Sequence, residues 1–581
     1  MKTVAGLVWA VRCMQTVTAN SWQLQKARLL SPNMTDSLPD EFEVVVVGTG
    51  LVESCVAAAA ARLGHTVLHV DTAKYYGGDW AAFTWEGLQE WRAQAGLGDQ
   101  QQDEEDISEV GLEEGEERVK LADQETITDI RENCSFDCEE PINEPSTDDG
   151  DGGKEKTVSS RPSEEVRWTA EEFSKQSRRF NIDLAPRLLL ARGDMVELLI
   201  SSNISRYTEF KAVTRVLTRL EGRLEAVPSS RSDVFNTKHI SVVEKRILMK
   251  FLTGVMQETE EEEEDTGKTF TEYLKLQKLS ANLIHFVVHS IAMVPGESKV
   301  EVGLAATRRF LSSLGRFGPT PFLWPMYGAG ELPQAFCRLA AVFGAVYYLG
   351  RGLGGLVTRA GRAAALLVGG RRVRCEKLLL PRARVPPALL PPAPHSEIQA
   401  ARAVLVTRAS LLPAEKEQLT FLSLPQESGA GPVQVVEAGP GAAACPRGLH
   451  LIHATSKGRP ALVQTLQVQN IVKEEELLYS LEWVQHGSTA PPGTTLPNLW
   501  AATGPLPELD CDAALEQAKQ IFQGMFPGEE FLPRAPDPEE IDMFGEEAAG
   551  EESKHEIEDV KENAIDKSTN EDSVIESGST D

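Results

Sequence analysis

The chain has 581 residues, 41% of them apolar, and a formal net charge of −29. That is enough apolar material for one large core or several, and the charge is local: residues 99–165 and 537–581 carry −18 and −14, leaving the remainder at +3. A near-neutral body without a basic stripe excludes nucleic acid as the expected partner, and the two acidic stretches are expected to be disordered.

The first 33 residues contain Lys2, Arg12, Lys26 and Arg28, no acid, and an apolar run of only seven residues at 5–11. A run that short, without a convincing cleavage site, predicts an unstructured extension over 1–35 rather than a signal, with Met34 as an alternative start. No apolar stretch reaches the ~18 residues that span a bilayer. The end, Ser579-Thr580-Asp581, is not a prenylation box, so a soluble chain is expected.

EFEVVVV from Glu41 reads as a buried strand, Gly48-Thr49-Gly50 as a turn, ESCVAAAAARLG as a small-residue helix, and TVLHVD as a second strand ending at Asp71. This is the opening of a dinucleotide-binding α/β unit. In such a loop three glycines let the backbone approach a pyrophosphate and let helix and strand pack. Here the loop reads GTGLVE, with Glu53 at the third position. A carboxylate in the first helical turn fills the electrostatic niche of the phosphates and repels them by roughly 4 kcal/mol at 4 Å and an effective dielectric of about 20. The loop of Gly48, Gly50 and Glu53 is therefore expected to be vestigial, with no cofactor. A flavin-dependent oxidoreductase is the alternative class, and no GxSxG, GxxxxGK or HExxH arrangement supports another enzyme.

Cys134 and Cys138 form the only close pair among eight scattered cysteines, which fits free thiols in a reducing compartment rather than a zinc site. Beyond the acidic linker the pattern predicts a helix at Asp194–Ser201, then helices over 244–256, 270–279, 282–294 and 304–314. His285 and His289 share a helical face without a carboxylate between them and are expected to be core residues. The acidic run 258–265 is expected to be a solvated loop. Residues 327–349 read as turn, helix and strand, and 350–532 as a return to the sheet.

Five blocks, VVVVGTGLVES, LHVDTAKYYGG, RRFNIDL, SRYTEFK and YGAGELPQAFCRLAAVFG, together resemble the Rab escort protein and Rab GDP-dissociation inhibitor superfamily, in family order across 34–348. The resemblance implies an α/β, FAD/NAD(P)-binding-like (GDI-like) multi-sheet domain with an inserted helical subdomain. Its pieces would be the domain over 36–98, a disordered acidic linker at 99–165, the domain again over 166–235, helical domain II over 236–315, the domain resumed over 316–535, and an acidic tail from 536. It also implies a non-catalytic protein that binds GDP-loaded Rab GTPases in the cytosol and touches membranes transiently. The long acidic insertion and the segment SRSDVFNTKHISVVEKRILMKF look like escort proteins, which present Rab to the Rab geranylgeranyltransferase α/β heterodimer and then cover the geranylgeranyl lipid. A dissociation inhibitor is the nearer alternative. By the same resemblance Tyr76, Arg316, Glu331, Arg338 and Tyr348 match Rab-binding positions, and Phe235 and Arg246 match prenyltransferase contacts. Helical spacing of Phe251, Leu252, Val255 and Met256 suggests a lipid-covering groove, with core packing as the alternative. Val52 departs from the proline common in escort proteins at that position.

Overall fold

A computed structural model describes residues 39–95, 111–137, 167–227, 241–257, 267–393, 397–426, 432–458 and 460–534. The expectations for 1–35, the tail from 536, Cys138, Phe235 and the run 258–265 lie outside the described residues. Four consecutive valines favour a strand buried on both faces, and β1 (Glu41–Val47) runs parallel to β2 (Val67–Asp71) on one side and to Arg371–Pro381 on the other. Between them α1 (Leu51–Arg62) buries every residue from Leu51 to Ala61. A helix buried all round belongs inside a large domain, and the five alanines let other helices approach closely.

Two eight-stranded sheets carry the body. The first runs Val346–Leu349, β2, β1, Arg371–Pro381, Arg362–Val368, Leu353–Arg359 and Glu116–Val119, with Leu499–Ala502 beside Arg371–Pro381. The second runs Arg223–Ala226, Arg215–Leu220, Thr420–Leu424, Val433–Ala438, His450–Lys457, Glu397–Thr407, Leu477–Ser488 and Ile127–Cys134. Parallel pairing around β1 places the loop after it at the carboxyl ends of the strands, where doubly wound folds hold ligands.

The expectation of one featureless linker over 99–165 is corrected for 111–137. Glu116–Val119 pairs with Leu353–Arg359 and Ile127–Cys134 pairs with Leu477–Ser488, each at the end of a sheet. Composition misled because the acids are matched from outside the segment. Glu116 pairs with Arg372, Glu113 lies 3.3 Å from Arg359, Asp123 lies 2.8 Å from Arg384, and Glu132 lies 2.6 Å from Arg92.

From 241 to 313 the described elements are helical. After α2 (Asp194–Ser201) come α3 (Val242–Gln257), α4 (Phe270–Leu276), α5 (Ala281–His285), a π-helical segment Phe286–Ala292, and α6 (Val300–Ser313). A Thr269–Glu272 capping box starts α4. Phe270, Leu274, Leu283, Phe286 and Phe310 join one core with Phe322 and Phe421 of the sheet region. The rings of His285 and His289 are tilted at 60° to each other with centroids 5.0 Å apart, and His285 Nε2 lies 3.1 Å from Thr218 Oγ1. Both sit partly buried in this core, and burial, the larger cause, together with His285 holds the His289 pKa down to about 4. Among the described residues no cluster of three metal-ligating side chains forms. The chain continues through α7 (Glu331–Val342), which lies on α1, and closes with α8 (Asp512–Met525) on the same helix.

Candidate functional site

Glu53 does not swing to solvent. It is 6% exposed, and a Cβ placed on Gly50 would lie 2.6 Å from its Oε2 while one on Gly48 would lie 3.6 Å from its Oε1. The carboxyl group thus folds back over both glycines and occupies the space a pyrophosphate would need. Desolvation, reinforced by Asp71 and Asp79, raises its pKa to about 8. Burial keeps the group largely protonated at neutral pH, so the loop excludes phosphate by occupancy; the charge repulsion expected from sequence does not apply.

The acid that would hold a ribose is also engaged. Asp71 Oδ2 accepts from Thr49 N at 2.8 Å and from Thr49 Oγ1 at 2.6 Å, and Oδ1 accepts from Ala73 N at 2.9 Å. With phosphate niche and ribose acid both satisfied internally, the residues present do not fit a dinucleotide.

Beside this loop stand two tyrosines. Tyr76 meets Tyr347 edge to face, centroids 5.8 Å apart, and Tyr347 lies against His69 at 5.0 Å. The Tyr347 hydroxyl donates to the Cys337 carbonyl of α7 at 2.8 Å. Tyr348, the residue assigned from resemblance, is on the other face of the strand Val346–Leu349. It is 4% exposed, its register partner is Val70 rather than His69, and Arg351 covers its ring at 4.9 Å. Alternation along a strand puts neighbouring side chains on opposite faces, so Tyr347 is the tyrosine brought to Tyr76 and Tyr348 belongs to the core beneath. The pairing of His69 with Tyr347 in parallel register is the signal that separates them.

Glu331 opens α7, where a carboxylate suits the helix N-terminus. Burial, and secondarily Asp183, raises its pKa to about 7. The preceding turn needs a close backbone approach, since a Cβ on Gly330 would fall 2.4 Å from Ala82 N. Arg338 lies seven residues on, about 10 Å along the same face, exposed and stacked over the Tyr207 ring at 4.7 Å. Arg316 is separate from this group. It is ion-paired to Glu197 of α2 and donates to the Ala191 carbonyl at 2.7 Å, with its guanidinium 5.1 Å from the exposed Phe317 ring.

Arg246 is exposed on α3, close to the half-exposed or more Val242 and Val243. The suggested groove on that helix is not open: Phe251, Leu252 and Val255 are 8%, 9% and 2% exposed within the core, and only Met256, at 47%, faces out. The core-packing alternative is therefore the arrangement found.

The overall arrangement is similar to the crystal structure of Rab GDI from Plasmodium falciparum, with a TM-score of 0.61 and 15% identity over 86% of this chain and all of that one. That likeness defines the class of fold. The GDP dissociation inhibitor family model matches residues 38–107 and 164–427, and the model described as RAE1/2 domain I, C-terminal region, matches 400–479. The chain is 34% identical to Rab proteins geranylgeranyltransferase component A 1 of Rattus norvegicus over 89% of its own length and 96% of that protein. It is 35% identical to the component A of Drosophila melanogaster over 88% and 94%, and 26% identical to Rab GDP dissociation inhibitor beta of Rattus norvegicus over 58% and 63%. The chain belongs to the GDP dissociation inhibitor family, in its Rab geranylgeranyltransferase component A group.

Proposed function

We propose that this chain is a non-catalytic escort that binds unprenylated, GDP-loaded Rab GTPases and presents them to the geranylgeranyltransferase α/β heterodimer. The observation that carries this reading is the nucleotide loop plugged by Glu53 beneath the Tyr76–Tyr347 pair: the place where this fold class would do redox chemistry is closed, and aromatic and charged groups stand beside it. Tyr76, Tyr347, Glu331 and Arg338 form the proposed Rab-contacting surface, with Tyr348 as its buried support and Arg316 on a neighbouring segment. Phe235 and Arg246 are the proposed contacts for the heterodimer, which supplies the catalytic site. Identity over most of the chain to component A proteins, against a shorter and weaker match to a dissociation inhibitor, supports escort over recycling.

After transfer the lipid needs cover, because each buried methylene is worth roughly 0.8 kcal/mol and two geranylgeranyl chains drive a free GTPase into membranes. The escort then hands its cargo over at a membrane surface from the cytosol. Among the described residues no helix is long and apolar enough to cross a bilayer.

Reconstitution tests the proposal. The chain is added to unprenylated Rab, geranylgeranyl donor and the heterodimer. Stimulated lipid transfer is expected; extraction of prenylated Rab without stimulation would make the chain a recycler. A Phe235→Ala variant is expected to lose stimulation while still binding Rab.

A further inference from the structure

Two groups of the plugged loop are turned toward the tyrosine pair. Thr49 is fully buried, and its hydroxyl donates to Asp71 Oδ2 at 2.6 Å while accepting the backbone N–H of Gly77, the residue after Tyr76, at 2.9 Å. Gly77 holds φ +100°, a left-handed turn that a side chain would strain, and a Cβ there would meet Ala81 Cα at 3.0 Å. The direction in which Tyr76 leaves the chain is thus set by a tight turn tied to the Thr49 hydroxyl.

The second tie starts at the Gly48 carbonyl. A carbonyl only accepts, so His69 Nε2, 2.6 Å away, carries the proton and donates. That fixes the tautomer and leaves Nδ1 without a proton, 3.3 Å from a Tyr347 hydroxyl whose own proton goes to Cys337, so His69 meets Tyr347 by packing, the two rings tilted with centroids 5.0 Å apart. His69 is fully buried, so its orientation is held by the hydrogen bond to Gly48 on one edge and by packing against Tyr347 on the other. In a nucleotide-binding loop the backbone N–H groups face a phosphate; here the Thr49 hydroxyl meets the Gly77 N–H, and the Gly48 carbonyl meets His69, which packs on Tyr347.

We propose that Thr49 and His69 are positioning residues for partner binding: the former cofactor loop is the frame that holds Tyr76 and Tyr347 edge to face. The inference rests on reading Tyr76 as a Rab contact. It deepens that reading by making Tyr76 and Tyr347 one preset unit whose geometry is decided two contacts below the surface, so that binding does not have to order the pair.

The test uses the full chain and a GDP-loaded, unprenylated Rab, with affinity measured by calorimetry, fold stability by urea denaturation, and ring environment by fluorine NMR of chain labelled with 3-fluorotyrosine. Signals are assigned with Tyr76→Phe and Tyr347→Phe. Thr49→Val removes the hydroxyl at constant shape and is expected to weaken Rab binding roughly five- to tenfold and to move the Tyr76 signal; Thr49→Ser is expected to restore both. His69→Gln, which retains a donor for Gly48, is expected to move the Tyr347 signal and weaken binding about threefold. Variants that keep wild-type affinity and unmoved fluorine signals overturn the proposal, as does an affinity loss that tracks lost stability and is not rescued by serine. Should Thr49→Val fail to fold, His69→Gln decides by the same two readouts. If the wild-type chain does not bind Rab, or Tyr76→Ala binds as well as wild type, it is the reading of the surface that fails, and the fluorine signals alone then decide whether the loop positions the pair.

Discussion

Around β1 and α1 the chain satisfies itself: Glu53 plugs the glycine loop, Asp71 is taken by Thr49, and His69 by the Gly48 carbonyl. The helical layer over 242–313 does the reverse on its outer side, leaving Val242, Val243, Leu276 and Val302 from 50% to 66% exposed above a well-filled core. The first region closes its loop with its own side chains, whereas the helical layer leaves several apolar side chains in solvent. The difference sets two places at which partner contacts can be tested: the tyrosine pair beside the closed loop, and the outer face of the helices.

The largest expected effect tests how closed the loop is. Glu53 has a folded-state pKa raised from 4.5 to about 8, chiefly by burial. Above pH 4.5 the unfolded chain ionises this group while the folded chain keeps it protonated, so its contribution to stability falls as pH rises from about 4.5 to 8 and is intact below that window. Glu53→Gln removes the titration and should gain on the wild type by about 3.5 kcal/mol between pH 5 and pH 8 in urea denaturation. Parallel pH profiles for the two proteins would mean the carboxyl group is solvated and the loop open.

Next comes the core beneath the helical layer. A Cβ on Gly303 would lie 2.3 Å from the buried Phe270 ring. Gly303→Ala should therefore cost about 2 kcal/mol through overpacking, and a neutral result would show that α4 and α6 are not packed as described.

A smaller effect is expected where α6 meets α8. Arg309 is ion-paired to Asp512 and lies 2.7 Å from Asp510, and Asp512 also accepts from Asp194 N and Met195 N at 3.2 and 3.1 Å. Because Arg309 is 42% exposed, Arg309→Ala should cost only about 1 kcal/mol, and the loss should shrink in 1 M salt. The smallest effect on folding is expected at Val243→Ser, within about 0.5 kcal/mol of wild type. Its readout is functional: stimulated geranylgeranylation should fall if this face meets the heterodimer, and unchanged stimulation would separate the exposed valines from that contact.

Much of the first region was legible in sequence. The valine run, the alanine-rich helix and Asp71 at a strand end each carry one local signal, and the helix at Asp194–Ser201 was bounded correctly because its apolar spacing is undiluted. Local signals failed where the answer lay elsewhere in the chain. The strands inside the acidic insertion depend on Arg359, Arg372, Arg384 and Arg92, hundreds of residues away in most cases, so composition alone pointed to disorder. Choosing between Tyr347 and Tyr348 required the register against His69 and Val70, which a four-residue strand cannot supply by itself. The direction of Glu53 was beyond sequence too, since a carboxylate at that position can point out or fold inward, and its burial reversed the expected charge state.

The insertion has one more consequence. By adding a strand to the end of each large sheet, a single short stretch covers two rows of backbone donors and acceptors that would otherwise stand open, and open edges recruit strands from other chains. Trimming residues 111–137 as dispensable acidic filler would therefore show first as sticky, self-associating protein at high concentration, visible by light scattering before any drop in melting temperature.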